Sequence, residues 1–291
     1  MTTIIPYLGK YTSEDDYVKI DELGKGGFAT LYSVYPKHDK NCIVAMKVIQ
    51  KRRLNTKKCK DMIKKEIKIH SSLLSPYIPK FLLYFENERN YYIILEYAKY
   101  GDLFSEIQER FEKQKDNKSL FSKAECFEII KQICQGLQYI HSRGYLHRDL
   151  KSENVLIFSK KPWIAKVSDF GHSHKKNKQK GTFGPTLHYI SIEELGYDEV
   201  DEKSEVWKVG VLLYEMVYGE CPFTPDSDSS SSSRSSNDSD KVMDKIASCD
   251  YKFPDDIIVP RDIKKLIKKC LREDAKDRIS IDEIIEYCNK N

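Results

Sequence analysis

None of the eight cysteines, at 42, 59, 126, 134, 221, 249, 270 and 288, forms a C-x-x-C pair. Scattered thiols give neither a zinc ribbon nor the dense disulfide framework of a small secreted domain, so a reducing nuclear or cytoplasmic setting is expected. No run reaches the ~18 apolar residues of a membrane-spanning helix, and the longest candidate, 209–218, is interrupted by Glu215. The first ten residues lack the basic start and apolar centre of a secretory signal. Charge of one sign is also missing: 49 Lys+Arg face 45 Asp+Glu, a net charge of +4. Mixed charge of this kind does not predict nucleic-acid binding, and no direct nucleic-acid or membrane partner is expected. There is no internal repeat. What remains is a globular chain of 291 residues, 40% hydrophobic and 32% charged, long enough for a large core.

The first third reads as strands. Residues 17–23 alternate apolar and polar, a glycine cluster follows, and 31–35, 43–49 and 91–96 read as further strands. Between them 56–74 reads as a helix, with Met62, Ile63, Ile67, His70, Leu73 and Leu74 at helical spacing and Ser75-Pro76 as its stop. After Gly101 helices are predicted at 102–114, 123–142, 204–218, 241–248 and 262–271, with a last one from Ile281. A hairpin is expected at 155–157 and 163–167. Strands first and helices later imply an α+β fold in two lobes. The reading divides the chain into an N-terminal extension (1–16), a domain at 17–288 and a tail at 289–291. Within the domain it places a small lobe at 17–96, a hinge at 97–101 and a large lobe at 102–288. The segment 226–240 is Ser/Asp-rich without an apolar residue, and reads as a disordered insert.

Four motifs carry chemistry. Gly24-Lys25-Gly26-Gly27-Phe28-Ala29 follows a strand; glycines there let backbone N–H groups approach phosphates closely. A second strand follows, not a helix, which excludes a dinucleotide fold, and no Gly-Lys-Ser/Thr ends the loop as a Walker A motif would. Val44-Ala45-Met46-Lys47 presents an ammonium suited to the α- and β-phosphates of a nucleotide, and Glu66 in the next helix is a carboxylate able to hold it. The third motif is His147-Arg148-Asp149-Leu150-Lys151-Ser152-Glu153-Asn154, and the fourth is Asp169-Phe170-Gly171. Each singly is open to a bland reading as a turn, an edge lysine or a solvated charge. Their order and spacing together are not.

With these motifs the chain resembles the eukaryotic protein kinases over nearly its whole length. The resemblance implies that ATP and Mg²⁺ are the cofactors. Asp149 would accept the substrate hydroxyl proton, Lys151 would contact the γ-phosphate, and Asn154 and Asp169 would hold Mg²⁺. Lys47, positioned by Glu66, would hold the α/β-phosphates under the glycine loop. Ala45 and Leu156 would sandwich the adenine, Leu23 and Leu31 would close its edge, the backbone from Glu96 to Ala98 would bind its polar rim, and Leu95 would be the gatekeeper. Lys151 and Thr186 resemble the serine/threonine branch. Asp102, Glu153 and Glu215 match positions where basophilic kinases hold substrate arginines, which implies protein substrates with basic residues before the phosphosite. Thr182 stands where many kinases carry an activating phosphate, which Arg148 and nearby lysines would pair.

Leu95 to Leu103, Thr186-Leu187-His188-Tyr189 and the stretch 201–215 look like Aurora kinases, which implies a mitotic role at chromosomes and spindle and an activator protein on the small lobe. Residues 23–29 and 66–70 look like Polo-like kinases. The chain ends soon after the catalytic domain, without room for Polo-like C-terminal boxes or a calmodulin-regulated autoinhibitory helix, so the Aurora-like reading is preferred. A Polo-like or other serine/threonine branch, or a weakly active pseudokinase scaffold, are the alternatives. Four departures stand out: Ala29 for the third glycine, Ser191-Ile192-Glu193 for Ala-Pro-Glu, Pro185 for a glycine, and Glu205 for the aspartate that braces the catalytic loop. Glu193 keeps the charge able to pair with Arg278. Glu205 carries one extra methylene, which shifts its reach by ~1.5 Å.

Overall fold

The alternating segments at the start of the chain do form strands in the computed structural model, which describes residues 8–176, 186–225 and 236–291. In chain order come β1 (Tyr17–Lys25), β2 (Ala29–Pro36), β3 (Val44–Gln50), α1 (Lys57–Ser72), β4 (Phe81–Glu86) and β5 (Asn90–Glu96). They build an antiparallel sheet of order β1-β2-β3-β5-β4. Strand β4 was not predicted. Its apolar run Phe81-Leu82-Leu83-Tyr84-Phe85 does not alternate, because both sides of it meet neighbours.

The period of two sorts β3 into two faces. Val44, Met46 and Val48 join Val34, Phe85, Tyr92 and Ile94 on the outer face, which Tyr11 and Tyr17 cover. Ile49 lies on the inner face with Tyr91 and Ile93, against Leu54 and Ile63 of the α1 region. Ala45 and Lys47 share that inner face, opposite Leu95 and Ile93 in register, with Leu31 across from Lys47. Helix α1 is capped by Thr56, whose hydroxyl accepts the Cys59 N–H at 3.2 Å, and it buries Ile63, Glu66, Ile69 and His70. Leu74, expected on that buried face, is 75% exposed: the helix stops at Ser72 and the extended Leu73 turns the chain before it.

The helical lobe follows with α2 (Leu103–Lys113), α3 (Lys123–Ser142), β6 (Tyr145–Leu146), β7 (Val155–Lys160), β8 (Trp163–Val167) and β9 (His174–Lys175). Next come α4 (Ile192–Leu195), α5 (Glu202–Tyr218), α6 (Ser236–Ala247), α7 (Arg261–Cys270) and α8 (Ile281–Lys290). Helix α5 is its axis. Every side chain from Ser204 to Tyr218 is buried, and Trp207, Leu212, Leu213 and Met216 are fully enclosed. Burying each such large apolar group favours folding by roughly 1.5–3 kcal/mol. Asp201 caps its start, and Gly219, at φ 82, ends it in the left-handed conformation that glycine tolerates best. Helix α6 starts at Ser236, five residues before the expected 241, which shortens the insert read at 226–240; positions 226–235 lie outside the described residues. Asp238 in its first turn complements the helix dipole, and Val242 and Ile246, one turn apart, are buried. The architecture is the expected α+β arrangement of a small sheet lobe and a large helical lobe. Among the described residues no helix is long and apolar enough to cross a membrane.

Candidate active site

The site begins on the inner face of β3. Lys47 Nζ lies 2.5 Å from Glu66 Oε1, a pair that ties the sheet to α1. Burial opposes charge on Lys47, but Asp169 and Glu66 outweigh it and raise its pKa. The same Lys47 charge holds the Asp169 carboxyl down at about 2, against burial, so this carboxylate stays ionised. Burial raises the Glu66 carboxyl, with Lys47 opposing. Asp169 sits at φ 64 and accepts the Gly171 N–H at 3.0 Å. A Cβ on Gly171 would lie 3.2 Å from Asp169 Oδ1 and 3.7 Å from Glu66 Oε2, so the three residues converge and any side chain there would crowd the Asp169 carboxylate. Phe170 is fully buried between His70 of α1, at 4.8 Å between ring centroids, and His147, at 5.5 Å.

The loop 147–154 between β6 and β7 meets this cluster. The His147 ring bonds the Ser168 carbonyl through Nε2 (2.9 Å), while Nδ1 accepts the Asp149 N–H (3.3 Å), which fixes the tautomer. Asn154 Nδ2 donates to Asp149 O (2.6 Å) and Oδ2 (2.9 Å), which leaves its amide oxygen able to accept or to ligate a cation. The Asn154 carbonyl accepts the Ser168 N–H at 2.8 Å, binding this loop to the residue before Asp169. Lys151 Nζ lies 3.7 Å from Asp149 Oδ2 and donates to Thr186 Oγ1 at 2.9 Å. Lys47, Glu66 and Asp169 thus form one cluster, Asp149, Lys151 and Asn154 a second, and the Ser168–Asn154 bonds tie the two together.

The glycine-rich turn joins β1 to β2, whose Leu31 lies across from Lys47. Gly24 and Lys25 end β1, the Gly26 N–H donates to Ala29 O at 2.8 Å, and Leu23 and Phe28 are 41% and 44% exposed. A Cβ at Gly24 or Gly27 would meet nothing within 4 Å, so no internal packing requires glycine there. Leu31, Ala45 and Leu95 share the inner face by register. The hinge runs beside β7: Tyr100 N–H donates to Ile157 O (3.1 Å), Ile157 N–H to Gly101 O (2.9 Å), and Leu156 bridges Asp102. In the Glu96–Ala98 backbone the Glu96 N–H is taken by Lys80 O and the Ala98 carbonyl by the Gly101 N–H. The Glu96 carboxylate holds Lys166 at 2.6 Å.

Residues 17–288 match the protein kinase domain. The chain belongs to the protein kinase family. It is 30% identical to the serine/threonine-protein kinase Aurora-2 of Arabidopsis thaliana, over 95% of this chain and 89% of that one. It is 31% identical to the Aurora kinase of Dictyostelium discoideum, over 94% of this chain and 65% of that one, and 31% identical to Aurora kinase A-B of Xenopus laevis, over 91% and 59%. It is a serine/threonine kinase close to the Aurora kinases, in a family that generally uses ATP and Mg²⁺.

The structure accounts for two departures of this kinase from the family pattern. Ser191 caps α4 and forms a capping box with Glu194, so Ile192 takes the first helical position where the family places proline. Glu193 still pairs with Arg278 through two bonds, at 2.6 and 2.9 Å. The longer Glu205 reaches the Arg148 N–H at 2.7 Å with one oxygen and the His141 ring with the other. Thr182 and Pro185 lie outside the described residues. Of the three acids read as arginine contacts, the structure brings two together. Glu215 is buried and accepts from the Tyr189 hydroxyl, and burial together with the nearby Glu153 raises its carboxyl. Asp102 caps α2 by accepting the Ser105 N–H at 2.7 Å. Sequence reasoning missed Lys208 and Glu194. A lysine inside an apolar helix, and S-x-x-E at 191–194, were the available signals.

Proposed function

We propose that this kinase transfers the γ-phosphoryl group of ATP to serine and threonine hydroxyls of proteins bearing basic residues before the phosphosite, and that it acts in mitosis at spindle or chromosomes. The observation that carries the chemistry is the convergence of the Lys47–Glu66 pair and the ionised Asp169 on the loop holding Asp149 and Asn154. Asp149 takes the substrate hydroxyl proton, and its carboxylate is aimed by Asn154. Lys151 lies between Asp149 and Thr186, where a cation offsets charge on the transferred group. Lys47 holds the α/β-phosphates, with Gly24, Lys25, Gly26, Gly27, Phe28 and Ala29 above them. Leu23, Leu31, Ala45 and Leu156 enclose the adenine, and Glu96 and Ala98 bind its edge through their backbone. Asn154 and Asp169 would hold Mg²⁺; an oxygen-donor pair whose carboxylate stays charged fits a hard cation, which would neutralise phosphate charge. Little covalent chemistry is asked of the protein, so position and charge supply the acceleration.

Basic selection rests on Glu153 and Glu215 beside each other, with Asp102 as the third acid. Activation rests on crowded cations: burial and Arg148 lower the Lys65 pKa, and burial, Lys65 and Arg148 lower that of His174. A phosphate on Thr182 would add negative charge able to pair with Arg148 and nearby lysines. The likeness to Aurora kinases supports an activator on the small lobe and a mitotic site of action. The test is ³²P transfer from ATP to a peptide with arginines before the serine, against an alanine-substituted peptide, with Asp149→Asn as control. Transfer that needs both Asp149 and the arginines is expected. A wild type as silent as the mutant, while ATP still raises the melting temperature, makes the protein a binding scaffold instead.

A further inference from the structure

The backbone of Arg148, next to Asp149, is gripped at both its N–H and its carbonyl by buried charge. Arg148 has φ 69, a left-handed conformation that a non-glycine residue holds only when its surroundings impose it. On one side its N–H donates to Glu205 Oε1 at 2.7 Å, with the His141 ring on the other oxygen. On the other side its carbonyl accepts from Lys208 Nζ at 3.2 Å. The remaining two N–H bonds of that ammonium go to Glu194, at 2.9 Å to Oε1 and 2.7 Å to Oε2. Glu194 accepts the Ser191 N–H at 3.0 Å as well. Lys208 is 3% exposed and Glu194 1%.

A buried ion pair is weak ground for stability, because two apolar side chains of similar volume often serve as well or better. What an apolar pair cannot do is hold a carbonyl oxygen. The Lys208–Glu194 pair joins the catalytic loop to α4 and, through Ser191, to the segment 186–191, whose Thr186 accepts from Lys151 and whose Tyr189 hydroxyl accepts the Ser152 N–H at 3.3 Å. We propose that Lys208 and Glu194 are positioning residues for phosphoryl transfer: together they fix the Arg148 carbonyl and lock the catalytic loop in register with the segment 186–191. The inference rests on Asp149 being the catalytic carboxylate of the preceding section.

The double variant Lys208→Met, Glu194→Met removes both charges without stranding either. Three quantities are read on the full chain: melting temperature, kcat and ATP KM with the arginine peptide, and amide exchange across 146–152. The expected result is a melting temperature near wild type, an unchanged ATP KM, kcat lowered about 10- to 100-fold, and exchange at Arg148 and Asp149 faster by about tenfold or more, since a displacement near 1 Å has that effect on a rate. A folded double variant whose kcat falls less than about fivefold, or whose loop exchange is unchanged, overturns the proposal. If the double variant does not fold, Glu194→Gln, which keeps the volume and an acceptor, must show the same split; a smaller loss overturns the proposal there too. Exchange is read without substrate. A wild type that transfers no phosphate therefore refutes the kinase chemistry, while the exchange comparison still decides whether the pair positions the loop.

Discussion

Replacing Glu205 by aspartate would restore the residue usual in the family, yet it should damage this protein. Glu205 is completely buried, and its two oxygens serve different partners, the Arg148 N–H at 2.7 Å and the His141 ring. Removing one methylene retracts the carboxylate by ~1.5 Å, so both bonds cannot survive. A lost hydrogen bond to a buried charged group is worth about 1.5–3 kcal/mol, and for a domain of this size about 2–3 kcal/mol lowers the melting temperature by roughly 4–12 °C. Because Arg148 adjoins Asp149, kcat should fall about tenfold or more with ATP KM little changed. Acid sensitivity should change too. Burial alone would raise the Glu205 carboxyl; His141, His147 and the Arg148 N–H outweigh it and hold it at about 2, below the ordinary 4.5. A depressed carboxyl contributes stability that is present above pH 4.5 and lost as pH falls toward 2. Aspartate, less well partnered, should show a shallower loss over that window. Differential scanning calorimetry at pH 7 and pH 4, with steady-state kinetics, measures all three. If Glu205→Asp melts with the wild type and turns over equally fast, the loop is not braced by these contacts.

His70 supplies an opposite case. Burial holds its pKa down at about 4 from 6.5, with Nε2 bonded to Pro79 O at 2.8 Å, so the folded state takes up its proton late and stability should drop by roughly 2–3 kcal/mol between pH 6.5 and 4.5. Urea melts should show that slope flattened in His70→Leu; an unaltered slope assigns the acid loss to another group. Arg278→Ala should cost about 3–5 kcal/mol because it strands the largely buried Glu193, and a chemical-denaturation midpoint within error of wild type would contradict this. Gly210→Ala should destabilise by about 1–3 kcal/mol, although alanine is the better helix former by nearly 1 kcal/mol. Its Cβ would lie 2.7 Å from Cys270 Cβ and 2.9 Å from Leu271. A melting temperature raised by the substitution would show that α7 yields.

The residues proposed to react were legible because such chemistry demands particular residue types at particular intervals. Lys47, Glu66 and Asp169 come from distant parts of the chain and cluster, and Ser168 ties them to the Asp149–Asn154 pair. Helices with strong caps were also readable: α3 spans 123–142 as expected, with a capping box at Ser122 and Glu125. The supports of the site were less visible, since Lys208 against Glu194 and His141 against Glu205 are non-local pairs whose meaning depends on burial that no local pattern announces. Phe170 reads as part of a motif, but its place between two histidines depends on how α1 docks. Asp102 reads from its sequence position only as an arginine contact. An acid before a helix is a good cap, and the cap is the contact observed.

The rim of the sheet lobe bears on how this protein is handled. Tyr17 stacks on Phe85, Phe85 on Tyr92, and Tyr11 lies edge-on to Tyr17, while Glu14 holds both Lys19 and the Tyr92 hydroxyl. The folding unit therefore reaches upstream of residue 17, where the family match starts. Recombinant material trimmed to that match would wet an aromatic ladder and invite clumping during purification, whereas a start a few residues before Tyr11 keeps the ladder shingled.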